Sequence, residues 1–360
     1  MRVFVLFGLC VAAGVNAAVA AQIDWTQLVG AQAAVGAGFG NPENIMIENV
    51  VLHEGRLVAT TYNDDTGMEV WISQTGLDWV RVHSGNIGSE PRIRRLVSFQ
   101  GFLYAAPESA QPCLWRSTNG AEWEPVNGPC VEPSSPSERV WSMRVFEGFL
   151  YATTEAIGGG EIWRTADGEN WAVVVEGGEI GQDVIWNLEV FNGDLLVTNE
   201  GTGIWKSSDG INWIQVFAGY FPGGYCSIEA LEPFQGWLYA GTSIDGLGGF
   251  NLWRSRDFIN WTDLPNGPAF LLTSVGHVLY STSHDWQVLA STNGIDFEPD
   301  NDEQFGNPHN WYYDELTAID GYLYAATRNL TEGAELWRRL LPPFTDGFES
   351  GDTSAWSGSS

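Results

Sequence analysis

Three observations predict an all-β fold, arranged as a seven-bladed β-propeller of four-stranded antiparallel blades. First, a unit of roughly 40 to 50 residues repeats along the chain, the period of propellers and solenoids. It reads FQGFLYAAPESAQPCLWRSTNGAEWEPV from Phe99 and FEGFLYATTEAIGGGEIWRTADGENWAVV from Phe146, with further copies from Phe191 and Phe234. Divergent copies start at His53, Ser274 and Ile319, making seven. Second, each unit divides into short runs rich in aromatic and β-branched residues, separated by turn residues, and no window has the 3.6-residue period of a sizeable helix. Third, the last copy lacks its final run, and a matching run stands near the N-terminus.

Within one unit the runs follow a fixed order. An alternating apolar run such as MRVF precedes an F-x-G turn; FLYAT follows it, then EIWRT, a second turn, and NWAVV. Four antiparallel strands repeated radially make a propeller blade. After ELWRRL the seventh unit passes to LPPFTDG with no second tryptophan, whereas IDWTQLV, residues 23–29, matches INWIQVF from Ile211. The N-terminal strand is therefore expected to complete the last blade and close the ring, which removes the open sheet edges that an unclosed array must cap.

The chain opens MRVFVLFGLCVAAGVNAAVAAQ: one basic residue, an apolar run and a small-residue cleavage site, the pattern of a secretory signal peptide over residues 1–21. Cleavage is expected after Ala20 or Ala21. A lipid anchor on Cys10 would need Gly or Ala where Leu9 stands. No later apolar run is long enough to span a bilayer, so no membrane insertion is expected and the chain is placed in the secreted or cell-surface class. Residues 22–341 form the expected propeller. Residues 342–360, with TDGFESGDTSAWSGSS, form a tail for which an export or sorting role and a disordered end both stand.

The net charge is −29, from 16 basic and 45 acidic residues. Nucleic acid is excluded as a partner, because its affinity rests on Lys and Arg contacts to phosphate. With 18 Trp, 18 Phe and 11 Tyr the acidity solvates a folded surface rather than signalling disorder. In an oxidising compartment Cys113 and Cys130, at the two ends of one hairpin, are expected to form a disulfide, leaving Cys226 alone. The three cysteines expected to remain after cleavage and five scattered histidines make no zinc site.

The segment Ser117, Asn119, Gly120, Trp123 resembles the Asp-box, or BNR, repeat of sialidases and other secreted propellers, though one residue shorter in spacing. Thr165, Asp167, Gly168, Trp171 and Ser207, Asp209, Gly210, Trp213 match it; Ser291, Asn293, Gly294, Phe297 do so more weakly. The resemblance implies a turn between third and fourth strands, away from any substrate, with the tryptophans packed between blades. Asn-Gly and Asp-Gly suit such a turn, since Gly takes positive φ and the Asx side chain bonds nearby N–H groups. Phe258 replaces that Gly in SRDFINW, so a different hairpin geometry is expected there. Arg116, Arg164 and Arg254 beside the turns are expected to stack on a neighbouring Trp.

Sialidase chemistry needs an arginine triad and an F-R-I-P segment. The nearest string, EPRIRRLV from Glu90, has the wrong order, and G-x-S-x-G, H-E-x-x-H and phosphate-cradling loops are lacking. No catalytic residues and no cofactor are assigned. Oxygen-rich NDDTG at 63–67 and SIDGLGG at 243–249 could donate oxygens to calcium, but acidic Gly-rich loops are more often plain turns.

Alignment on F-x-G places Glu48, Arg94, Trp141, Trp186, Glu229, Ala269 and Asp314 at one position of the innermost strand. Val50, Leu96, Met143, Leu188, Leu231, Leu271 and Leu316 stand two residues on. The uniformly apolar second row is core; the mixed first row suits the mouth of a central channel. The loops between blades are expected to carry unrepeated aromatics on the same face, including Trp141, Trp186, Tyr220, Phe221, Tyr225, His309, Trp311, Tyr312 and Tyr313. Rigid aromatic area beside hydrogen-bonding acids suits sugar or peptide, while a channel mouth filled with water is the plainer reading. The function expected is a binding or scaffolding module for carbohydrate or an extracellular protein; the alternative is a glycoside-active hydrolase or lyase using carboxylates on that face.

Overall fold

The structure, a computed structural model, describes residues 25–108, 113–126, 128, 137–156, 158–180, 184–199, 203–224, 227–243, 250–264, 267, 270–283 and 286–341. The signal segment, the tail, Cys130, Tyr225, Cys226, the 244–249 stretch and Ala269 lie outside them. The described residues are strands and turns, with two short 3-10 turns at Ala37–Gly40 and Glu303–Gly306 and no helix long and apolar enough to cross a membrane.

The unit around Phe146 is typical: Ser137–Phe146, Phe149–Ala156, Ile162–Thr165 and Ala172–Val175 pair antiparallel in chain order. Four-stranded sheets opening with Ile93–Phe99, Ile185–Phe191, Ser227–Phe234 and Leu272–Val275 repeat that order. The other eight strands make one sheet, in which a meander beginning at Met46–His53 meets a second beginning at Tyr312–Ile319 through the single pair Met46–Arg328. In that second meander Thr26–Val29 pairs antiparallel with Leu336–Leu340, the position of a fourth strand. The first strands of successive units lie side by side, and Tyr312–Ile319 lies beside Met46–His53.

Two-residue turns join first to second strands. Glu54, Gln100, Glu147, Asn192, Gln235 and Asp320 take positive φ there, each followed by a glycine that does the same. That pair of left-handed residues matches the twist of the flanking strands, which is why F-x-G recurs.

The core lies between neighbouring sheets. Val50, Leu96, Met143, Leu188, Leu231 and Leu316 are buried as expected; Leu271 departs from the row, being half-buried at the edge of a cavity. The second tryptophan of each hairpin packs on the preceding unit: Trp123 with Val58 and Val70, Trp171 with Phe99 and Tyr104, Trp213 with Phe146 and Tyr151, Trp261 with Phe191 and Leu196.

The turns between third and fourth strands share one hydrogen-bond scheme. Asp167 Oδ1 accepts the N–H groups of Glu169 and Asn170 and the Thr165 hydroxyl; Asp209, Asp257, Asn119 and Asn293 do likewise in theirs. These bonds hold the Asp167, Asp209 and Asp257 carboxyls well below the usual range.

Two expectations about these turns are corrected. The Phe258 hairpin is not different: Phe258 takes φ 65°, beside 68° at Gly210 and 75° at Gly168, with the same bonds to Asp257. The reason is an exchange of volume across the sheet interface. A Cβ on Gly168, Gly210 or Gly294 would fall within 1.7–1.9 Å of the hydroxyl of Tyr104, Tyr151 or Tyr239 in the preceding unit. Opposite Phe258 that tyrosine is Leu196, and the freed space takes the phenyl ring, edge-on to Phe191 at 5.7 Å. Of the hairpin arginines Arg254 stacks on a tryptophan as expected, Trp237 at 4.3 Å, whereas Arg116 lies over Phe102 (4.6 Å) and Arg164 over Phe149 (4.4 Å); each ring is the first residue of the adjacent second strand. From there Arg116 and Arg164 donate to Gly168 O and Asp209 O in the following unit.

Candidate functional site

In six first strands one residue drops out of the ladder with the second strand. The register shifts fall between Ile47 and Asn49, Ile93 and Arg95, Val140 and Ser142, Ile185 and Leu188, Ile228 and Ala230, and Tyr313 and Glu315. The skipped residues are Glu48, Arg94, Trp141, Trp186 with Asn187, Glu229 and Asp314, the row aligned from sequence. A β-bulge leaves one residue unpaired and re-aims its side chain. The core residue two positions on keeps its inward direction.

Five of these side chains, Glu48, Arg94, Trp141, Trp186 and Glu229, line one cavity of about 250 Å³. The indoles of Trp141 and Trp186 stack in parallel, centroids 5.5 Å apart and planes within 5°. The Arg94 guanidinium lies 4.6 Å from the Trp141 ring centroid. Trp141 Nε1 donates to Glu155 at 2.8 Å, and Arg139 pairs with the same carboxylate at 3.2 Å. Glu229 accepts from the Ser243 hydroxyl at 2.6 Å.

Ion pairs fix the lining around Arg94. Arg92 bridges the buried Glu48 and Glu108, and Arg94 reaches the second oxygen of Glu108 at 2.6 Å. Burial alone would push the Glu108 carboxyl up, but the two guanidinium groups hold it below its ordinary value. Arg92 also lies over the Tyr62 ring, whose hydroxyl is pushed up to about 12 by burial and by Asp64. Asn187 spans units, donating to Thr198 Oγ1 and to Ile228 O.

The remaining predicted residues fare differently. Trp311 is 52 % exposed and is not among the residues lining the cavity. Tyr312, Tyr313 and Asp314 begin a strand, but their side chains, like Tyr225, lie outside what is described. Trp141 and Trp186 sit within strands rather than in inter-blade loops. Phe221 is no surface aromatic: it is 1 % exposed, packed against Phe217, Trp253 and Trp261. His309 is half-exposed beside Glu332 at 3.4 Å.

Sequence reasoning missed Arg92, Arg95, Asn187 and Phe270 in the lining. The signal for two of them was present: three of the 16 basic residues crowd into RIRR, residues 92–95. As for calcium, Asn63 is buried, donates to Asn44 and accepts the N–H groups of Asp65 and Thr66, so its oxygen is committed to the turn. Among the described residues no group of three or more His, Cys, Asp or Glu is placed to hold a metal ion.

No protein-family model and no curated protein matches the chain. Solved structures do. A YCF48 bound to D1 peptide aligns at TM-score 0.58 and 15 % identity, over 89 % of this chain and 97 % of that one. The polysaccharide lyase Uly1 aligns at 0.55 and 10 %, over 87 % and 93 %. The GH74 xyloglucanase from Xanthomonas campestris aligns at 0.53 and 17 %, over 85 % and 54 %. All are β-propeller proteins, and the all-β chain of four-stranded antiparallel sheets has the same fold.

Proposed function

We propose that this chain is a secreted or cell-surface binding module, a seven-bladed propeller of Asp-box type that takes carbohydrate or an extracellular protein at the cavity lined by Trp141 and Trp186. Seven repeats, the pairing of Thr26–Val29 with Leu336–Leu340 and the adjacency of the first and last units support a ring closed by its N-terminal strand. Nucleic acid and membrane insertion have no place in this reading, given the net charge of −29.

One observation carries the proposal. Residues at the same bulged position of five different units converge on a single cavity, while the rows one residue before and two residues after them stay apolar and buried. Aromatic faces beside a few directed polar groups are what binding sites offer. The YCF48 structure is bound to a peptide, so a propeller of this form can hold one. The test is a screen of glycans and extracellular peptides against the purified chain and its Trp141→Ala and Trp186→Ala variants. Ligands retained by the parent and lost by both variants are expected; retention indifferent to both would refute the site.

A second reading has its own observation: two carboxylates, Glu48 and Glu229, line the same cavity, and the neighbours include a xyloglucanase and a polysaccharide lyase. Hydrolysis or elimination would require one of them to exchange protons, and Glu48 is ion-paired with Arg92. New reducing ends or unsaturated products from polysaccharides, abolished by Glu229→Gln, would establish catalysis.

A further inference from the structure

Resting on that reading of the cavity, we propose that its ligand is a uronate-bearing glycan whose sugar carboxylate is received by Arg95. The chain is poor in cations, yet Arg92, Arg94 and Arg95 line this one cavity. Arg92 and Arg94 are occupied by Glu48 and Glu108. Arg95 is not: among the described residues it makes no ion pair, and its hydrogen bond runs from Nη1 to the carbonyl oxygen of Arg94 at 2.9 Å.

Arg95 is solvent-exposed where it lines the cavity, and Glu315, on another first strand, is the carboxylate that acts on it most strongly. Its guanidinium is open to a ligand and is paired with no carboxylate among the described residues. Its planar fork matches a carboxylate with two parallel hydrogen bonds.

The rest of the lining favours a sugar as the carrier of that carboxylate. Trp141 and Trp186, stacked on each other, bring broad apolar indole surface to the lining, the kind that packs on the C–H face of a pyranose. Asn187 and Glu229 stand beside them as partners for hydroxyls. Trp186 Nε1 is buried and has no hydrogen-bond partner among the described residues. Glu48, Glu108, Glu155 and Glu229 make the surroundings acidic enough to disfavour densely charged ligands, so isolated single carboxylates fit best. A neutral sugar would leave Arg95 as it is.

Calorimetric titration of the mature chain with galacturonate, glucuronate, mannuronate and guluronate oligomers tests this, against carboxyl-reduced counterparts, sulfated oligosaccharides and an acidic peptide. At least one uronate series is expected to bind tenfold or more tightly than its reduced form. Arg95→Gln is expected to erase that preference with an unchanged circular dichroism spectrum, and Arg95→Lys to keep part of it. Equal binding of uronate and reduced oligomers, a preference untouched by Arg95→Gln, or binding of the sulfated ligand or peptide in place of the uronates would overturn the inference. If a neutral sugar or the peptide binds and Trp186→Ala removes it, the cavity reading survives and the uronate assignment fails. If nothing binds, both fail.

Discussion

The exchange between Leu196 and Phe258 can be measured directly. Phe258 occupies a left-handed conformation at φ 65°, which costs a non-glycine residue about 1–2 kcal/mol. The cost is offset by packing on Phe191 and Leu196 and by Lys206, whose ammonium lies 5.9 Å from the ring. Phe258→Gly relieves the strain but forfeits that packing; for a half-buried ring, against about 3–5 kcal/mol for a fully buried one, the net loss should be about 1–2 kcal/mol. Leu196→Tyr alone drives a hydroxyl towards an occupied site, as the 1.7–1.9 Å approaches at the other tyrosine–glycine pairs indicate, and overpacking of this kind costs about 1–3 kcal/mol. Together the two substitutions rebuild the pair seen at Tyr151 and Gly210, so the double variant should recover most of both losses, a coupling of about 2 kcal/mol. Urea denaturation followed by tryptophan fluorescence gives the cycle. Losses that add within about 0.5 kcal/mol would refute the volume-exchange account.

Burial pushes the Glu232 carboxyl from 4.5 up to about 7, with Glu189 adding to the shift and the bonds from Ser274 opposing it. Because the folded chain holds this proton more tightly than the unfolded chain, the stability it contributes is present below about pH 4.5 and lost as pH rises through about 7, to the order of 3 kcal/mol. Glu232→Gln should therefore raise the urea midpoint at pH 8 relative to pH 5; equal shifts at both would contradict this. Leu28 is buried within the strand that pairs with Leu336–Leu340, so Leu28→Ala should cost about 2–4 kcal/mol. Deleting residues up to Gly30, which also removes the Trp25 Nε1 bond to Asp300 O, should yield an aggregating chain, read by size-exclusion chromatography. Cys113 is disulfide-bonded; non-reducing peptide mapping should find it joined to Cys130, with Cys226 alkylated, and reduction should cost about 3 kcal/mol for a loop of roughly 15–20 residues.

The fold was legible because repetition supplies its own alignment. Seven copies show which positions tolerate only apolar residues, and those fill the interfaces between sheets. The same comparison exposed the Glu48-to-Asp314 row by its very lack of a rule. What lay beyond the sequence were departures from the unit's average. Arg92 and Arg95 sit to either side of a row residue, and only the bulge at Arg94 explains why the three enter one cavity. Phe221 stands in an apparent surface loop, yet the gap beside Trp253 and Trp261 draws it inside. The FGNP segments at Phe39 and Phe305 also escaped notice as a pair. Each places a phenylalanine in a left-handed conformation, stacked on Trp71 or Trp337 at 4.6 Å, a tertiary contact no local pattern announces.

The bulges also account for how variable chemistry is carried on an invariant frame. In an uninterrupted strand every residue points into the interface on one side or the other, and a glutamate or arginine at the row position would be buried against a neighbouring sheet without a partner, at a cost of several kcal/mol. The extra residue takes that side chain out of the alternation while Val50, Leu96, Met143, Leu188 and Leu231 retain theirs. Substitutions at Trp141, Trp186 or Glu229 should accordingly alter ligand choice far more than stability. Substitutions at the core row should do the reverse, and parallel measurement of binding and urea midpoints across both rows would separate the two.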